Sequence, residues 1–154
     1  MYRKVIFLDI DGVLNSVIYD RERGEDDGNI DRSRLPLLKR IIDETGAEVV
    51  LSTSWRRHWD RSPEKRDELG DELDKIFGEF GITISGKTPL LGERAHEISA
   101  WLTEHPEVCA FAVIDDIFAG WGELSDHVVK TNARIGRGLE EKHVEAAVRI
   151  LTEI

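Results

Sequence analysis

Asp9 and Asp11 close the run Lys4-Val5-Ile6-Phe7-Leu8-Asp9-Ile10-Asp11-Gly12-Val13, two carboxylates set two residues apart at the end of an apolar, strand-like segment. Side chains alternate along a strand, so both acids leave the same side of the chain while Ile10 points elsewhere. Facing like charges raise each other's pKa unless a cation relieves them, so the pair reads either as a cation site or as a proton-sharing dyad. Against both stands a solvated acidic turn, since Asp and Gly are common turn formers. Two further groups of reactive side chains follow apolar runs: Ser52-Thr53-Ser54, and Asp115-Asp116. Taken singly, each also reads as a helix cap. Taken together, Asp9 with Asp115 or Asp116 offers the few carboxylate oxygens that a magnesium ion combines with water and substrate phosphate. A hydroxyl among Ser52, Thr53 and Ser54 would hold a phosphoryl oxygen, and Lys87 and Arg94 are the two candidates for a fixed cation that matches the remaining charge.

Such a site needs strand ends brought to one rim. Short apolar runs at residues 5–8, 48–51, 108–114 and 128–131 suit strands buried on both faces, and Ile82-Thr83-Ile84 alternates like a short edge strand. Between them lie helical stripes. Leu35, Leu38, Ile41 and Ile42 mark one, with Ser33 as its N-cap and Gly46 as its terminator; Leu69, Leu73, Ile76, Phe77 and Phe80 mark another. Ala95, Ile98, Trp101 and Leu102 give a third, closed by His105-Pro106, and Val144, Ala147, Val148 and Leu151 a fourth. The alternation predicts an α/β fold: a doubly wound, Rossmann-like parallel sheet of about five strands with helices on both faces. In such sheets ligands bind beyond the carboxyl ends of the strands, which is where the acids and hydroxyls fall.

Composition bounds the remaining choices. The 154 residues suit a single domain, 1–154, with a long polar loop at 15–31 read as a flexible flap. Forty per cent apolar against 34 per cent charged residues is ordinary for a water-soluble domain, and no apolar run reaches the ~20 residues of a membrane span. No secretory signal opens the chain, so a cytoplasmic setting is expected. The single cysteine, Cys109, sits among Val108, Ala110 and Phe111 and reads as a small core residue. A net charge of −10 opposes broad attraction to nucleic acid, which depends on Lys and Arg neutralising phosphates. A local exception is the cluster of Arg56, Arg57 and Arg61 with Trp55 and Trp59. It reads first as a helix with its tryptophans turned inward, and second as a holder for a phosphorylated strand end, with Arg56 as the substrate contact.

On these residues the chain resembles the haloacid dehalogenase-like (HAD) phosphohydrolases over most of its length. Phe7-Leu8-Asp9-Ile10-Asp11-Gly12-Val13 is similar to the family's first motif, Val49-Val50-Leu51-Ser52-Thr53-Ser54 to its second, and Val113-Ile114-Asp115-Asp116 to its fourth. The third, a lysine or arginine, is met by Arg94 at the head of its helix or by Lys87 upstream. A weaker likeness, carried by Leu51-Ser52-Thr53-Ser54-Trp55-Arg56 and by Glu97-Ile98 with Trp101-Leu102, is to small HAD domains associated with RNA repair. The resemblance implies that Asp9 attacks phosphorus to form an aspartyl-phosphate, and that Asp11 protonates the leaving oxygen and then activates water. It further implies Mg2+ held by Asp9, the main-chain carbonyl of Asp11 and the Asp115-Asp116 pair, with Thr53 or its flanking serines on the phosphoryl oxygens.

The expected function is thus a Mg2+-dependent phosphomonoester hydrolase. The inserts leave no room for a large cap domain, so a nucleic-acid end, a nucleotide or another phosphate ester are all open as substrates. The alternative is a non-catalytic phosphoacceptor or binding domain on the same fold. One further pattern is a decoy. Gly81-Ile82-Thr83-Ile84-Ser85-Gly86-Lys87-Thr88 matches the letters of a P-loop, but its middle alternates as a strand, Pro89 follows, and no helical face begins at Lys87. The five histidines show no spacing suited to zinc. The sequence is silent on oligomeric state.

Overall fold

Val5, Ile6, Phe7 and Leu8 are all inaccessible to solvent, because the strand that carries them is covered on both faces. In the computed structural model, which describes residues 3–153, this strand is β1 (Arg3–Leu8). It is the centre of a five-stranded sheet with β2 (Glu48–Leu51), β3 (Ile84–Lys87), β4 (Val108–Asp115) and β5 (Val128–Lys130). The order is β3-β2-β1-β4-β5 and every pairing is parallel. The chain therefore runs outward from β1 through β2 to β3, crosses back to β4, and leaves through β5. The reversal places the crevice of a doubly wound sheet between the ends of β1 and β4.

Strand alternation divides the core in two. Ile6, Leu8, Val49, Leu51, Ala112 and Ile114 pack against α2 (Leu35–Thr45), α3 (Glu68–Glu79) and α5 (Glu141–Thr152). Val5, Phe7, Val50 and Val113 pack instead against Ile98 and Trp101 of α4 (Arg94–Glu104), with Leu124 from the 3-10 turn Gly122–His127 and Trp121 just before it. The apolar stripes expected of the four helices are the faces buried here, with one exception. Leu69 lies at the start of α3 and is 51 per cent exposed, lining a surface cleft with Trp55 and Asn29.

Three boundaries differ from the sequence reading. The edge strand expected at 82–84 begins only at Ile84: Gly81 adopts φ 70° and the Ile82 amide bonds back to the Phe77 carbonyl, so residues 81–82 still belong to the exit from α3. Ser33 does not cap α2. Asp31 caps a 3-10 turn at Arg32–Arg34, accepting from the Ser33 amide and hydroxyl, and α2 follows directly from that turn. The stretch 15–31, read as loop throughout, contains α1 (Val17–Arg23), capped by the Ser16 hydroxyl and closed by Gly24 in the left-handed region. Within the P-loop lettering only Ile84–Lys87 is strand, paired with β2, and no helix begins at Lys87. No helix among the described residues is long and apolar enough to cross a membrane.

Candidate active site

The strand register assembles the site. Leu8 pairs with Leu51 on one side and Ile114 on the other, so the next residues, Ser52, Asp9 and Asp115, form one row at the strand ends, with Asp115 the last residue of β4. Main-chain bonds continue the ladder into this row: the Ser52 amide to the Leu8 carbonyl and the Asp9 amide to the Ile114 carbonyl, each 3.0 Å. Alternation turns the row toward the face that α4 covers. There Arg94, in the first turn of α4, hydrogen-bonds Asp115 and reaches within 3.6 Å of Asp9 Oδ2. Asp9 is 5 per cent exposed and Asp115 is fully buried, whereas Asp116 reaches solvent.

Carboxylate oxygens of Asp9, Asp115 and Asp116 all lie within 4.8 Å of one another. Burial, and then the charge of Asp115, push the Asp9 carboxyl up to about 8, although Arg94 and the Ile10 amide, 2.9 Å from Oδ1, pull it down. Asp116 is raised for the same two reasons. The three crowded carboxylates form an all-oxygen donor set, which suits a hard divalent cation, with Arg94 as the one fixed positive charge beside them. The turn after β1 is shaped for this crowding. Gly12 has φ +85°, and a Cβ there would stand 2.1 Å from Asp116 Oδ2, so only glycine lets Asp116 close on the cluster. The turn is tied down from behind, where the Thr131 hydroxyl donates to the Gly12 carbonyl and the Leu139 amide to the Val13 carbonyl.

The hydroxyl residues take separate roles. Ser52 Oγ is buried without a hydrogen-bond partner among the described residues, an unusual state for a hydroxyl and one that a phosphoryl oxygen or water at the row would relieve. Thr53, also buried, caps the 3-10 turn Ser54–Arg57 by accepting from the Trp55 amide at 3.3 Å. Ser54 is exposed and lines a cleft of about 460 Å³ together with Arg56, Arg57, Leu90, Gly92, Arg94 and Ile117.

Of the two cation candidates, only Arg94 faces the acids. Lys87 pairs with Leu51, one residue short of the Asp9 row, and its ammonium is taken up by the carbonyls of Trp59 (2.7 Å) and Arg56 (3.3 Å) and by Asp60. Arg56 is likewise corrected as a free substrate contact. Its guanidinium is 4 per cent exposed, held by Glu97 at 2.7 Å and by the Thr53 carbonyl, because the tight turn after Thr53 folds it under α4 instead of outward. Arg57, the next residue, is the exposed one. The helix expected to turn both tryptophans inward is only the 3-10 turn Ser54–Arg57: Trp59 is buried, whereas Trp55 is half-buried.

Asp11 stands apart from the three-carboxylate cluster, exposed at the mouth. Asn15, to which the sequence gave no role, and Trp55, read there only as part of the arginine-tryptophan cluster, hold it: Asn15 Nδ2 donates to Asp11 Oδ1 at 3.0 Å, and the Trp55 indole N–H donates to both carboxylate oxygens at 3.2 Å. Glu97, named in the sequence only for the likeness to RNA-repair domains, has a structural part that spacing did not reveal. It receives Arg56 and also the amides of Leu91 and Gly92, fixing the loop that leads into Arg94. The sequence signal was slight: a Glu on the buried side of a helix between Arg94 and Ile98.

A parallel sheet with this order, an Asp-x-Asp-Gly turn at its central strand and acids at the neighbouring strand end, defines a HAD-type domain. The family model described as the HAD domain in Swiss Army Knife RNA repair proteins matches residues 5–144, and the chain belongs to that family. No curated protein and no solved structure matched the chain. Membership carries a phosphatase-type chemistry at the family level and a tie to RNA repair.

Proposed function

We propose that the protein is a Mg2+-dependent phosphomonoester hydrolase working through an aspartyl-phosphate on Asp9. The observation that carries this reading is the row of Ser52, Asp9 and Asp115 in register, with Asp116 and Arg94 closing on the same carboxylate. Asp9, Asp115 and Asp116 would hold the ion, which when bound supplies the positive charge that lets an anionic carboxylate approach an anionic phosphate. An Asp9 oxygen forms a bond to phosphorus as the ester P–O bond breaks, and Asp11 gives its proton to the leaving oxygen. Asp11 then takes a proton from water, whose oxygen attacks phosphorus. The bond to Asp9 breaks, phosphate departs, and both acids regain their starting states. Arg94 and the Ser52 hydroxyl neutralise and hold the non-bridging oxygens.

The described fold has no cap over the strand ends, and the cleft beside Arg94 offers exposed Arg57 and the apolar side chains of Leu90 and Ile117. A phosphorylated nucleic-acid end fits this open, locally cationic cleft best, in keeping with the family's tie to RNA repair. Binding one strand end takes few phosphate contacts, so the overall charge of −10 is no obstacle.

The test is turnover of p-nitrophenyl phosphate and of 3′- and 5′-phosphorylated oligonucleotides with and without Mg2+. Activity lost with chelator and in Asp9→Asn is expected. Inactivity toward the whole set, with Mg2+ bound, would favour the non-catalytic phosphoacceptor or binding domain instead.

A further inference from the structure

Asp11 is an exposed aspartate in a turn, and such a side chain ordinarily samples several rotamers in solvent. Here three N–H···O contacts fix it. Asn15, 7 per cent exposed, uses its whole amide: Oδ1 accepts from the Gly12 amide at 2.8 Å, while Nδ2 donates to Asp11 Oδ1 at 3.0 Å and to the Gly28 carbonyl at 2.9 Å. Trp55 arrives from the other side. Its main-chain amide is seated on the Thr53 hydroxyl at the end of β2, its ring packs against the larger core, and its indole N–H points at the carboxylate.

We propose that Trp55 and Asn15 are the positioning residues of the acid-base group, holding Asp11 for the water-attack half of the reaction. This rests on the acid-base reading of Asp11 given above. The contacts are unequal. Oδ1 accepts from both Asn15 and Trp55, whereas Oδ2 shares only the indole contact, so Oδ2 is the oxygen left to exchange the proton. Donors from two sides fix the rotamer of the carboxylate, so the oxygen that meets the water stays in one place. Because Trp55 follows Ser52 and Thr53 at the end of β2, the same short segment that meets the phosphate also sets the acid-base group. Through Gly28, the Asn15 amide also joins the 15–31 segment to this group.

Two variants leave the catalytic residues in place. Trp55→Phe keeps an aromatic ring on the core and loses the N–H together with part of the indole bicycle. Asn15→Asp keeps the acceptor for the Gly12 amide and turns the donor toward Asp11 into a like charge. The readout is rapid quench of Mg2+-loaded protein with p-nitrophenyl phosphate, whose leaving group departs without a general acid, beside glycerol 2-phosphate, whose leaving group needs one. For Trp55→Phe the p-nitrophenol burst is expected at wild-type rate while phosphate release slows about tenfold, the scale of one lost contact to a charged group, with acyl-phosphate accumulating. Glycerol 2-phosphate is expected to lose at least as much, and Asn15→Asp more on both substrates. A readout independent of turnover is the Trp55 indole 1H–15N resonance, expected to move upfield in Asp11→Ala. Wild-type phosphate release in both variants, or an unmoved indole resonance, overturns the proposal while Asp11→Asn remains slow. Wild-type turnover in Asp11→Asn overturns the acid-base reading itself, and the positioning role with it.

Discussion

Replacing Glu97 by Ala is expected to be among the most damaging single changes outside the acidic cluster. Glu97 and Arg56 are 6 and 4 per cent exposed at the side chain and meet at 2.7 Å, so neither charge has water to fall back on. Burial already pushes the Arg56 guanidinium down against the opposing pull of Glu97. Without Glu97 the guanidinium keeps only the Thr53 carbonyl and a 3.5 Å contact to the Pro89 carbonyl, and the amides of Leu91 and Gly92 lose their acceptor. Breaking a buried pair from one side costs ~3–5 kcal/mol, a large share of the ~5–15 kcal/mol that holds a domain folded. The lost loop contacts belong to the same network, so they are not added separately. In urea, with a slope of ~2 kcal/mol per molar, the midpoint of unfolding should drop by roughly 2 M. The control is Arg56→Met with Glu97→Leu, which removes both charges and should cost less than Glu97→Ala alone. Because Glu97 anchors the loop entering Arg94, any residual activity of the single variant should also fall. A midpoint within about 0.5 M of wild type, or a double variant worse than the single one, would refute the reasoning.

Gly12→Ala combines a left-handed φ with a Cβ 2.1 Å from Asp116 Oδ2, so Asp116 must swing away; Mg2+ affinity by calorimetry should fall at least tenfold, and undiminished binding would remove Asp116 from the ion's site. Arg94→Gln should lower kcat/KM by two or more orders of magnitude, roughly the scale of one charge-stabilising donor, whereas Lys87→Met should leave it within a few-fold, since Lys87 is spent on carbonyls of the Arg56–Trp59 segment. His143 gives the pH dependence. Burial, then Lys142, hold its imidazole below the ordinary 6.5, and its neutral Nδ1 accepts from the Glu140 amide at the start of α5. A depressed folded-state value means its contribution is fully present above pH 6.5 and is lost as pH falls through the lower folded-state value. Denaturation midpoints of wild type and His143→Gln should therefore converge on acidification from pH 7.5 to below 6 as wild type loses its margin of about 1 kcal/mol, and parallel curves would refute the assignment.

The grouping of acids and hydroxyl was legible in the sequence because these residues sit at strand ends, where an apolar run must stop. Asp9, Ser52 and Asp115 each follow such a run by one residue, and a parallel sheet has no choice but to bring its carboxyl ends to one side. The four helices were legible for a similar reason: Leu38, Phe77, Ile98 and Val144 belong to stripes that only a buried face explains. Element edges were less so. The start of β3 at Ile84 depends on a main-chain bond from Ile82 back to Phe77, which leaves no trace in residue type.

What the sequence determined by itself was the set of reactive groups and the strand on which each rides, since period and composition are local properties of the chain. Tertiary structure alone decided which cation meets the acids, because Lys87 and Arg94 differ only in the parity and packing of the elements that carry them. It also decided that Arg56 turns inward to Glu97, and that Trp55 and Asn15 converge on Asp11 from segments 40 residues apart in the chain. Such contacts arise where separately determined elements meet, and the orientation of a side chain at that meeting is set by packing and by the need to satisfy buried charge, neither of which is written in local spacing.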